Sequence, residues 1–268
     1  MIPYGPITEF HLGPLTIQSW GLLVALGFIA GILLILWQAK KAGYKSDKIL
    51  DLVLWVFIAS MVGSRVFYVI VFWQDFAGEW LEALKIWNGG MVFYGGLLFA
   101  IAVFIWFARR HKMNIWRLSD WAAPALALVS AIGRVGCHLI QDHPGKITTV
   151  PWSIMVNGEL RHETALYLVF SNLIIFLILW LWLRKSKKLP VGSLFYIYLI
   201  WEGITRFMID FWRADDLPNA DPRYWGLTVS QYIGLGLVVA GLVVLRYLFK
   251  RRPAAGLFPE QVKKDHAT

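Results

Sequence analysis

Three ionisable residues recur every four positions near the end of an apolar run: Glu202, Arg206 and Asp210. In a helix, this spacing places the three side chains on one face. A carboxylate on each side of an arginine can neutralise the arginine inside a helix bundle. The same arrangement can also hold the guanidinium ready for a bidentate pair with a phosphate, a geometry that lysine lacks. The spacing by itself leaves both interpretations open.

A second arginine, Arg134, occurs in the segment IGRVGCHLIQDHPGK, beside Gly133 and close to Gly136. Glycines let another helix, or a lipid headgroup, approach the backbone closely. Arg134 is therefore either an interface anchor in a helix-packing segment or part of an anion site. Asp142 and Gly145 come next, in a predicted surface turn at 142–145.

The elements that must position these residues are membrane-spanning helices. The chain has 268 residues, of which 58% are hydrophobic and 16% charged, whereas about a quarter of a soluble domain is charged. About 20 apolar residues cross a bilayer as a helix. We expect an all-α integral membrane protein, a single membrane domain over 1–268, with seven transmembrane helices near 17–38, 49–72, 90–108, 119–140, 164–183, 191–212 and 228–248.

The basic residues between the runs predict the orientation, because short cytoplasmic loops contain an excess of lysine and arginine. The connection at 74–85 is acidic and that at 213–227 is mixed, whereas the alternate connections are basic. This pattern predicts the N terminus outside and the C terminus in the cytoplasm, and it accounts for the net charge of +9 without a nucleic-acid partner. The basic residues are Lys40, Lys41, Lys45, Lys48, Arg109, Arg110, Lys112, Arg117, Arg184, Lys185, Lys187, Lys188, Lys250, Arg251 and Arg252.

In this orientation, several polar residues of the predicted spans share one depth. Ionisable groups inside a membrane are costly, and they mark functional sites unless they reach an interface. The shared depth predicts a polar site that faces the outer leaflet. Its residues are Trp20, Arg65, Tyr94, Arg134, Arg206 and Asp210.

Histidine and cysteine give no metal or disulfide signal. His138 and His143 are five residues apart, which is not the spacing of one helix face, and no HExxH motif occurs. Cys137 is the single cysteine, so an intramolecular disulfide is excluded. We interpret Cys137, one turn from Arg134, as a small packing residue. No metal and no cofactor are expected.

Taken together, seven motifs resemble those of the bacterial prolipoprotein diacylglyceryl transferases. The resemblance extends from about Pro14 to the seventh run, and the order and spacing of the motifs carry it. The motifs are SWGLLVALGF, GSRVFYV, NGGMVFYGGL, IGRVGCHLIQDHPGKITTVPW, RHETALY, RFMIDFWRADD and GLTVSQ.

The resemblance implies an enzyme of the bacterial cytoplasmic membrane. Such an enzyme moves the diacylglyceryl group of phosphatidylglycerol to the lipobox cysteine of a preprolipoprotein signal peptide and releases glycerol 1-phosphate. The essential arginines of the family fall on Arg134 and Arg206, and a motif glycine falls on Gly145. Together with the depth argument, this gives a catalytic set of Arg134, Arg206, Tyr94 and Asp142, and a substrate-binding set of Arg134, Gly145, Asp210, Glu202, Trp20 and Arg65.

The chain departs from the family pattern at several of these positions. Asp142 and Asp210 stand where the family usually has glutamate, Trp20 where many members have tyrosine, and Cys137 where most have asparagine. The segment 161–168 lacks the proline, glutamine and final glutamate of the family motif.

Tyr94 stands where many members have a histidine proposed as base. A phenol with an ordinary pKa near 10 is a poor base, so we expect Tyr94 to position the headgroup first, or to relay a proton.

Two other functions stay open. A phospholipid-binding relative that has lost transfer activity would keep the phosphate site, and the altered segment 161–168 permits this. A transporter would need charges along a path through the bilayer. We count no ionisable residue in the inner halves of the spans that would continue such a path.

Overall fold

The computed structural model describes residues 5–251, apart from 77, 79, 86–88, 186–188 and 219. Lys187, Lys188 and Arg252, which contribute to the predicted orientation, and both ends of the predicted 1–268 domain lie outside this part of the chain. Within the described residues the chain is mostly helical. Its α-helices are α1 (Ser19–Lys41), α2 (Ser46–Val71), α3 (Phe93–Arg110), α4 (Ile115–Ile140), α5 (Thr164–Lys185), α6 (Ser193–Ile209) and α7 (Val229–Arg251).

Six of these helices, all except α6, are long and apolar enough to cross a membrane within the described residues. They begin and end close to the predicted runs, which confirms the apolar pattern as a signal for helices here. Helix α6 has 17 residues and includes Glu202 and Arg206. The predicted run at 191–212 ends differently, because Asp210–Trp212 form a 3₁₀ turn after α6.

The expectation of an all-α chain is incomplete, because short strands lie between the helices. A hairpin precedes α1 directly, a three-stranded antiparallel sheet with the order β3-β5-β4 joins α4 to α5, and a two-stranded ribbon precedes α7. The strands are β1 (Glu9–Leu12), β2 (Leu15–Gln18), β3 (Pro144–Ile147), β4 (Ile154–Val156), β5 (Glu159–Glu163), β6 (Arg223–Tyr224) and β7 (Leu227–Thr228).

The predicted surface turn at 142–145 is wrong in its second half, because Pro144 and Gly145 begin strand β3. Helix α4 ends at Ile140, and the next residue, Gln141, has a positive φ of 53°. A left-handed residue after the last helical turn redirects the chain, as it does at many helix ends. The composition of the turn correctly predicted that the helix ends here. The residues that follow form a strand because they pair with β5.

The chain divides into two compact units, one that contains the segment up to Ile35 and the segment from Ser119 onward, and one at Leu36–Leu118. In the first unit, glycines bring helices close together. A Cβ on Gly27 of α1 would lie 3.2 Å from the carbonyl oxygen of Val129 in α4. A Cβ on Gly203 of α6 would lie 2.5 Å from the carbonyl oxygen of Gly234 in α7. Small residues therefore set the helix spacing here.

Asp120, near the start of α4, corrects the count of charges made from the sequence. Its side chain is fully buried and accepts hydrogen bonds from the backbone N–H groups of Gly192 at 2.5 Å and Phe195 at 3.2 Å. These groups belong to the first turn of α6, which has no helical partners for its N–H groups. Asp120 therefore stabilises a helix start.

In the second unit, Arg65 holds the connection between α2 and α3. Its guanidinium donates to the carbonyl oxygens of Glu82 and Ala83, each at 2.7 Å, and of Gly89 at 2.6 Å. Gly63 and Gly95 meet closely, since a Cβ on Gly95 would lie 2.4 Å from the Gly63 carbonyl oxygen. This supports a packing role for the glycines of the NGGMVFYGGL motif.

Arg161 fixes the three-stranded sheet to the segment after α6. Its guanidinium donates to both carboxylate oxygens of Asp216, at 2.9 and 2.5 Å, and to Glu159 at 2.5 Å. The hydrogen bonds from Arg161 lower the pKa of Asp216 to about 2, and Asp216 in turn raises the pKa of Arg161. The arginine is buried, so this bidentate pair joins strand β5 firmly to the segment after α6.

The glycine contact between α6 and α7 gives a stability test. Gly203→Ala places a methyl group against the Gly234 backbone, and overpacking of this kind costs about 1–3 kcal/mol. We expect a lower thermal unfolding midpoint in detergent. The matched control is Gly236→Ala in α7, where a Cβ meets nothing within 4 Å. The contact is unimportant if both variants unfold with the same midpoint.

The pair Arg161–Asp216 gives a pH test. Because the folded-state pKa of Asp216 lies below the ordinary value of 3.8, the pair stabilises the fold fully above about pH 4. This contribution is lost as the pH falls through about 2. We expect Asp216→Asn to lower the unfolding midpoint at pH 6, and the difference from the wild type to shrink between pH 4 and pH 2.

The matched control is Asp215→Asn, because Asp215 pairs with Lys146 at 3.1 Å on an exposed surface. Exposed pairs contribute little, so this variant should unfold like the wild type at each pH. A constant difference between the Asp216 variant and the wild type across the whole pH range would contradict the assignment.

Candidate active site

The end of α4 brings Arg134 together with Cys137 and with the start of α1. The Nη1 atom of Arg134 lies 3.9 Å from Cys137 Sγ, and the Trp20 side chain is placed to hydrogen-bond the same sulfur. Gly136 allows this approach, since a Cβ there would lie 3.2 Å from Trp20 Cα. A Cβ on Gly133, by contrast, would meet nothing within 4 Å, so the side of α4 at Gly133 is open.

Asp210 is the most connected acidic residue at the end of α6. Its carboxylate is fully buried and accepts a hydrogen bond from Thr228 Oγ1 at 2.6 Å. It also lies at ion-pair distance from Arg206 Nε at 3.4 Å and from Arg213 Nη1 at 3.9 Å. The predicted pair of Arg206 and Asp210 is confirmed, although Asp210 lies in the 3₁₀ turn after the helix.

Glu202 lies within electrostatic range of both arginines of the predicted site. The charges of both Arg134 and Arg206 act on its carboxylate, and Tyr198 hydrogen-bonds it. The two guanidinium groups are also close enough to repel each other. Arg206 is further held by a hydrogen bond from Nη2 to Ser230 Oγ at 3.0 Å. The result is two guanidinium groups, on different helices, whose charges both act on one carboxylate.

Such a cluster has the electrostatics of an anion site. Two arginines that repel each other are stabilised by an anion between them, and a phosphate can accept several charge-assisted hydrogen bonds at once. Glu202 and Asp210 offset part of the positive charge and fix the side chains before the anion arrives. The phosphate interpretation of the arginines stays a prediction.

Asp142 lies beside Cys137, just after α4. Its Oδ1 atom is 2.6 Å from His143 Nδ1, and one donor atom each of Cys137, Asp142 and His143 lies within 4.8 Å of the others. These three groups have the chemistry to hold a transition metal. The spacing argument considered histidines alone and did not anticipate this group, so the expectation of no metal stays a prediction.

Gly145 is placed where a side chain would not fit. A Cβ there would lie 2.5 Å from the Trp212 carbonyl oxygen and 2.6 Å from His162 Cβ. Gly145 also forms a backbone bridge with Arg213. The glycine therefore docks strand β3 against the segment after α6, which is a positioning role.

A cavity of about 250 Å³ opens beside this contact in the first unit. Its lining contains both charged and apolar residues. The residues that line it are Asp142, His143, Pro144, Val156, Asn157, Arg213, Ala214, Leu217, Pro218, Ala220 and Asp221. Arg213 is held there by ion pairs with Asp221 and Asp210. The cavity is suited to a small polar group.

Two predicted site residues, Arg65 and Tyr94, belong to the second unit. Arg65 donates hydrogen bonds to four backbone carbonyl oxygens, which is the environment of a structural anchor. Tyr94 is 46% exposed and its ring contacts Phe93. Their part in substrate binding or catalysis stays a prediction.

The site also contains a group that was not predicted. His162 Nδ1 lies 2.7 Å from the hydroxyl oxygen of Tyr167, which accepts a hydrogen bond from Trp152 Nε1 at 2.9 Å. Burial lowers the pKa of His162, because it disfavours the charged imidazolium. The signal was present in the motif RHETALY, where His162 and Tyr167 are five residues apart. The strand-to-helix junction brings them together.

Comparison with known proteins identifies one family. The sequence model of the family described as prolipoprotein diacylglyceryl transferase matches residues 7–247. A relative from Streptococcus pyogenes serotype M3, named phosphatidylglycerol–prolipoprotein diacylglyceryl transferase, is 34% identical over 253 residues, which cover 91% of this chain and 95% of the relative. Relatives of the same name from serotypes M5 and M49 are 33% identical over the same shares.

The family match includes the segments that contain Arg134, Arg206 and Asp210, and so confirms the resemblance drawn from the motifs. Because the match extends over most of this chain and the aligned relatives exceed 30% identity, the chain belongs to the prolipoprotein diacylglyceryl transferase family.

Proposed function

We propose that this protein transfers the diacylglyceryl group of phosphatidylglycerol to the lipobox cysteine thiol of preprolipoproteins. The reaction forms a thioether and releases glycerol 1-phosphate. The observation that supports it best is the pair Arg134 and Arg206, whose charges both act on Glu202, with Asp210 Oδ1 3.4 Å from Arg206 Nε. The names of the relatives supply the reaction, and the cluster supplies a place for the lipid phosphate.

In this mechanism the arginines act on the leaving group. Arg134 and Arg206 bind the phosphate that joins glycerol to diacylglycerol, and they stabilise the negative charge that grows on it as the carbon–oxygen bond breaks. Glu202 and Asp210 hold the guanidinium groups in place. In this proposal Asp142 orients the arginines, and Trp20 and Gly145 help to bind the substrate at the end of α4.

The incoming group is a thiol, and its thiolate is the competent nucleophile. The positive potential of the two arginines favours the thiolate near the lipid. Tyr94 positions the headgroup or relays the proton, and Arg65 keeps the α2–α3 connection in shape so that Tyr94 can do so. No cofactor takes part in this scheme.

The protein operates in the bacterial cytoplasmic membrane with seven spans, its N terminus outside and its C terminus in the cytoplasm. Helix α6 forms the sixth span in chain order, together with the turn at Asp210–Trp212, and brings the number of spans to seven. The basic connections predict this orientation, and it makes the site face the outer leaflet. Its partners are phosphatidylglycerol, the signal peptides of preprolipoproteins and the surrounding bilayer.

An active enzyme is favoured over a relative that only binds lipid. The segment 161–168 departs from the family motif, yet Arg161, His162 and Tyr167 keep hydrogen bonds that hold the sheet and the start of α5. The altered positions of the motif therefore leave this structural role intact. Asp120, the additional buried charge, caps a helix and so does not supply the path that a transporter needs.

The reaction is tested with purified protein, phosphatidylglycerol vesicles and a lipobox peptide, by measuring the mass gain of the peptide. We expect Arg134→Ala to lower the rate by about 10²–10³-fold, because one preorganised charge donor is lost. Arg134→Lys should recover little, since lysine lacks the bidentate geometry. Arg110→Ala, at the exposed end of α3, is the control and should keep wild-type rates.

A peptide with serine in place of cysteine should gain no mass. Equal modification of the cysteine and serine peptides would show a different chemistry. A wild-type rate in Arg134→Ala, with normal insertion in the membrane, would remove the arginine from the mechanism.

The proposed orientation is tested by labelling with a membrane-impermeant maleimide. We expect Thr16→Cys, on the exposed hairpin before α1, to be labelled in intact spheroplasts. Lys45→Cys, in the exposed connection between α1 and α2, should be labelled only after lysis. The wild type gives the background, since its Cys137 is buried. The reverse labelling pattern would invert the topology.

A further inference from the structure

The proposed reaction needs a group that removes the proton of the incoming thiol. Two of the acidic residues near the arginines already have partners. Asp210 accepts from Thr228 and pairs with Arg206, and Asp142 Oδ1 lies 2.6 Å from His143 Nδ1. A carboxylate that is held by arginine is a weak proton acceptor, because protonation would give up the ion pair.

A histidine stands one turn beyond Arg134 on the same helix. His138 comes four residues after Arg134, so both side chains project from the same face of α4. Cys137, between them, contacts Arg134. The His138 side chain is 16% exposed, which leaves it neither sealed in the core nor free in solvent. A histidine at this place lies close to the site of a phosphate bound by Arg134.

A buried carboxylate orients this histidine. Glu163, the last residue of β5, is 1% exposed, and among the described residues its Oε2 atom has no hydrogen-bond partner. Oε2 lies 3.6 Å from His138 Nδ1, which is ion-pair distance. An unpaired buried carboxylate oxygen is costly, so a small rotation that turns the Nδ1–H group toward it is favourable.

We propose that His138 is the general base of the transfer reaction and that Glu163 is its positioning residue. The inference rests on the proposed function. With Nδ1–H directed at Glu163, the lone pair of the imidazole is on Nε2, which is the tautomer that a base needs. A carboxylate behind a histidine also stabilises the imidazolium that forms on proton transfer.

Atoms and electrons balance in this step. The lipobox thiol gives its proton to His138 Nε2, and the sulfur electron pair forms a bond to the terminal glyceryl carbon of the lipid. The bond from that carbon to the phosphate ester oxygen breaks, and its electron pair leaves with glycerol 1-phosphate. The phosphate remains between Arg134 and Arg206 until release, and the imidazolium then returns its proton to water.

The test uses two lipobox peptides, one with cysteine and one with selenocysteine at the reacting position. A selenol is ionised at neutral pH without help, so it needs no base. With the cysteine peptide, we expect His138→Gln and Glu163→Gln to lower the transfer rate, for His138→Gln by about 10²-fold. With the selenocysteine peptide, both variants should react at close to the wild-type rate.

The matched control is His111→Gln, which replaces an exposed histidine at the end of α3 and should not change the rate with either peptide. Glu163→Asp keeps the carboxylate and should recover part of the rate with the cysteine peptide. A variant that is only misfolded would lose the rate with both peptides equally, so an equal loss overturns the proposal. A wild-type rate in His138→Gln with the cysteine peptide also overturns it.

Failure of the base assignment and failure of the proposed function give different results. If the wild type modifies neither peptide, the transfer reaction itself is absent. If the wild type modifies both and the variants show no preference for selenocysteine, the reaction stands and His138 is not the base.

Discussion

An arginine inside an apolar helix bundle needs an anion beside it, and Asp210 supplies that anion for Arg206. The buried carboxylate also binds Thr228 and lies close to Arg213, while its backbone carbonyl accepts a hydrogen bond from Arg223. One residue therefore connects the end of α6, the segment after it and the start of α7. If the carboxylate were absent, the positive charges of Arg206 and Arg213 would repel each other without this compensation. The rest of the site depends on this compensation.

The sheet between α4 and α5 is fixed to the same segment. Gly145 forms a backbone bridge with Arg213, and Arg161 forms a bidentate pair with Asp216. Strand β3 begins four residues after α4 ends. These contacts therefore also restrain the C-terminal end of α4, which contains Arg134. The anion site is thus built from helices, whereas its surroundings are built from strands and loops. The helices contain Arg134 and Arg206, and the strands contain Gly145 and Arg161.

The cluster separates two tasks of the proposed reaction. The arginines and their carboxylates act on the phosphate, where negative charge accumulates as the lipid bond breaks. In the proposed mechanism His138, one turn beyond Arg134 on α4, acts on the thiol proton, with Glu163 of β5 beside it. The proton acceptor is then a different group from the carboxylate of Asp210, which pairs with Arg206.

The sequence by itself determined the apolar helices and the pairing of Arg206 with Asp210, because these depend on length, hydropathy and a spacing of four residues. It did not determine the strands, which are only two to five residues long and therefore show no long alternating pattern. Nor did it reveal that Asp120 caps α6, since its partners lie more than 70 residues away. Only the tertiary structure placed Glu163 behind His138. Contacts of this kind depend on how the helices and the sheet pack. A local sequence pattern contains no information on which distant residues this packing brings together.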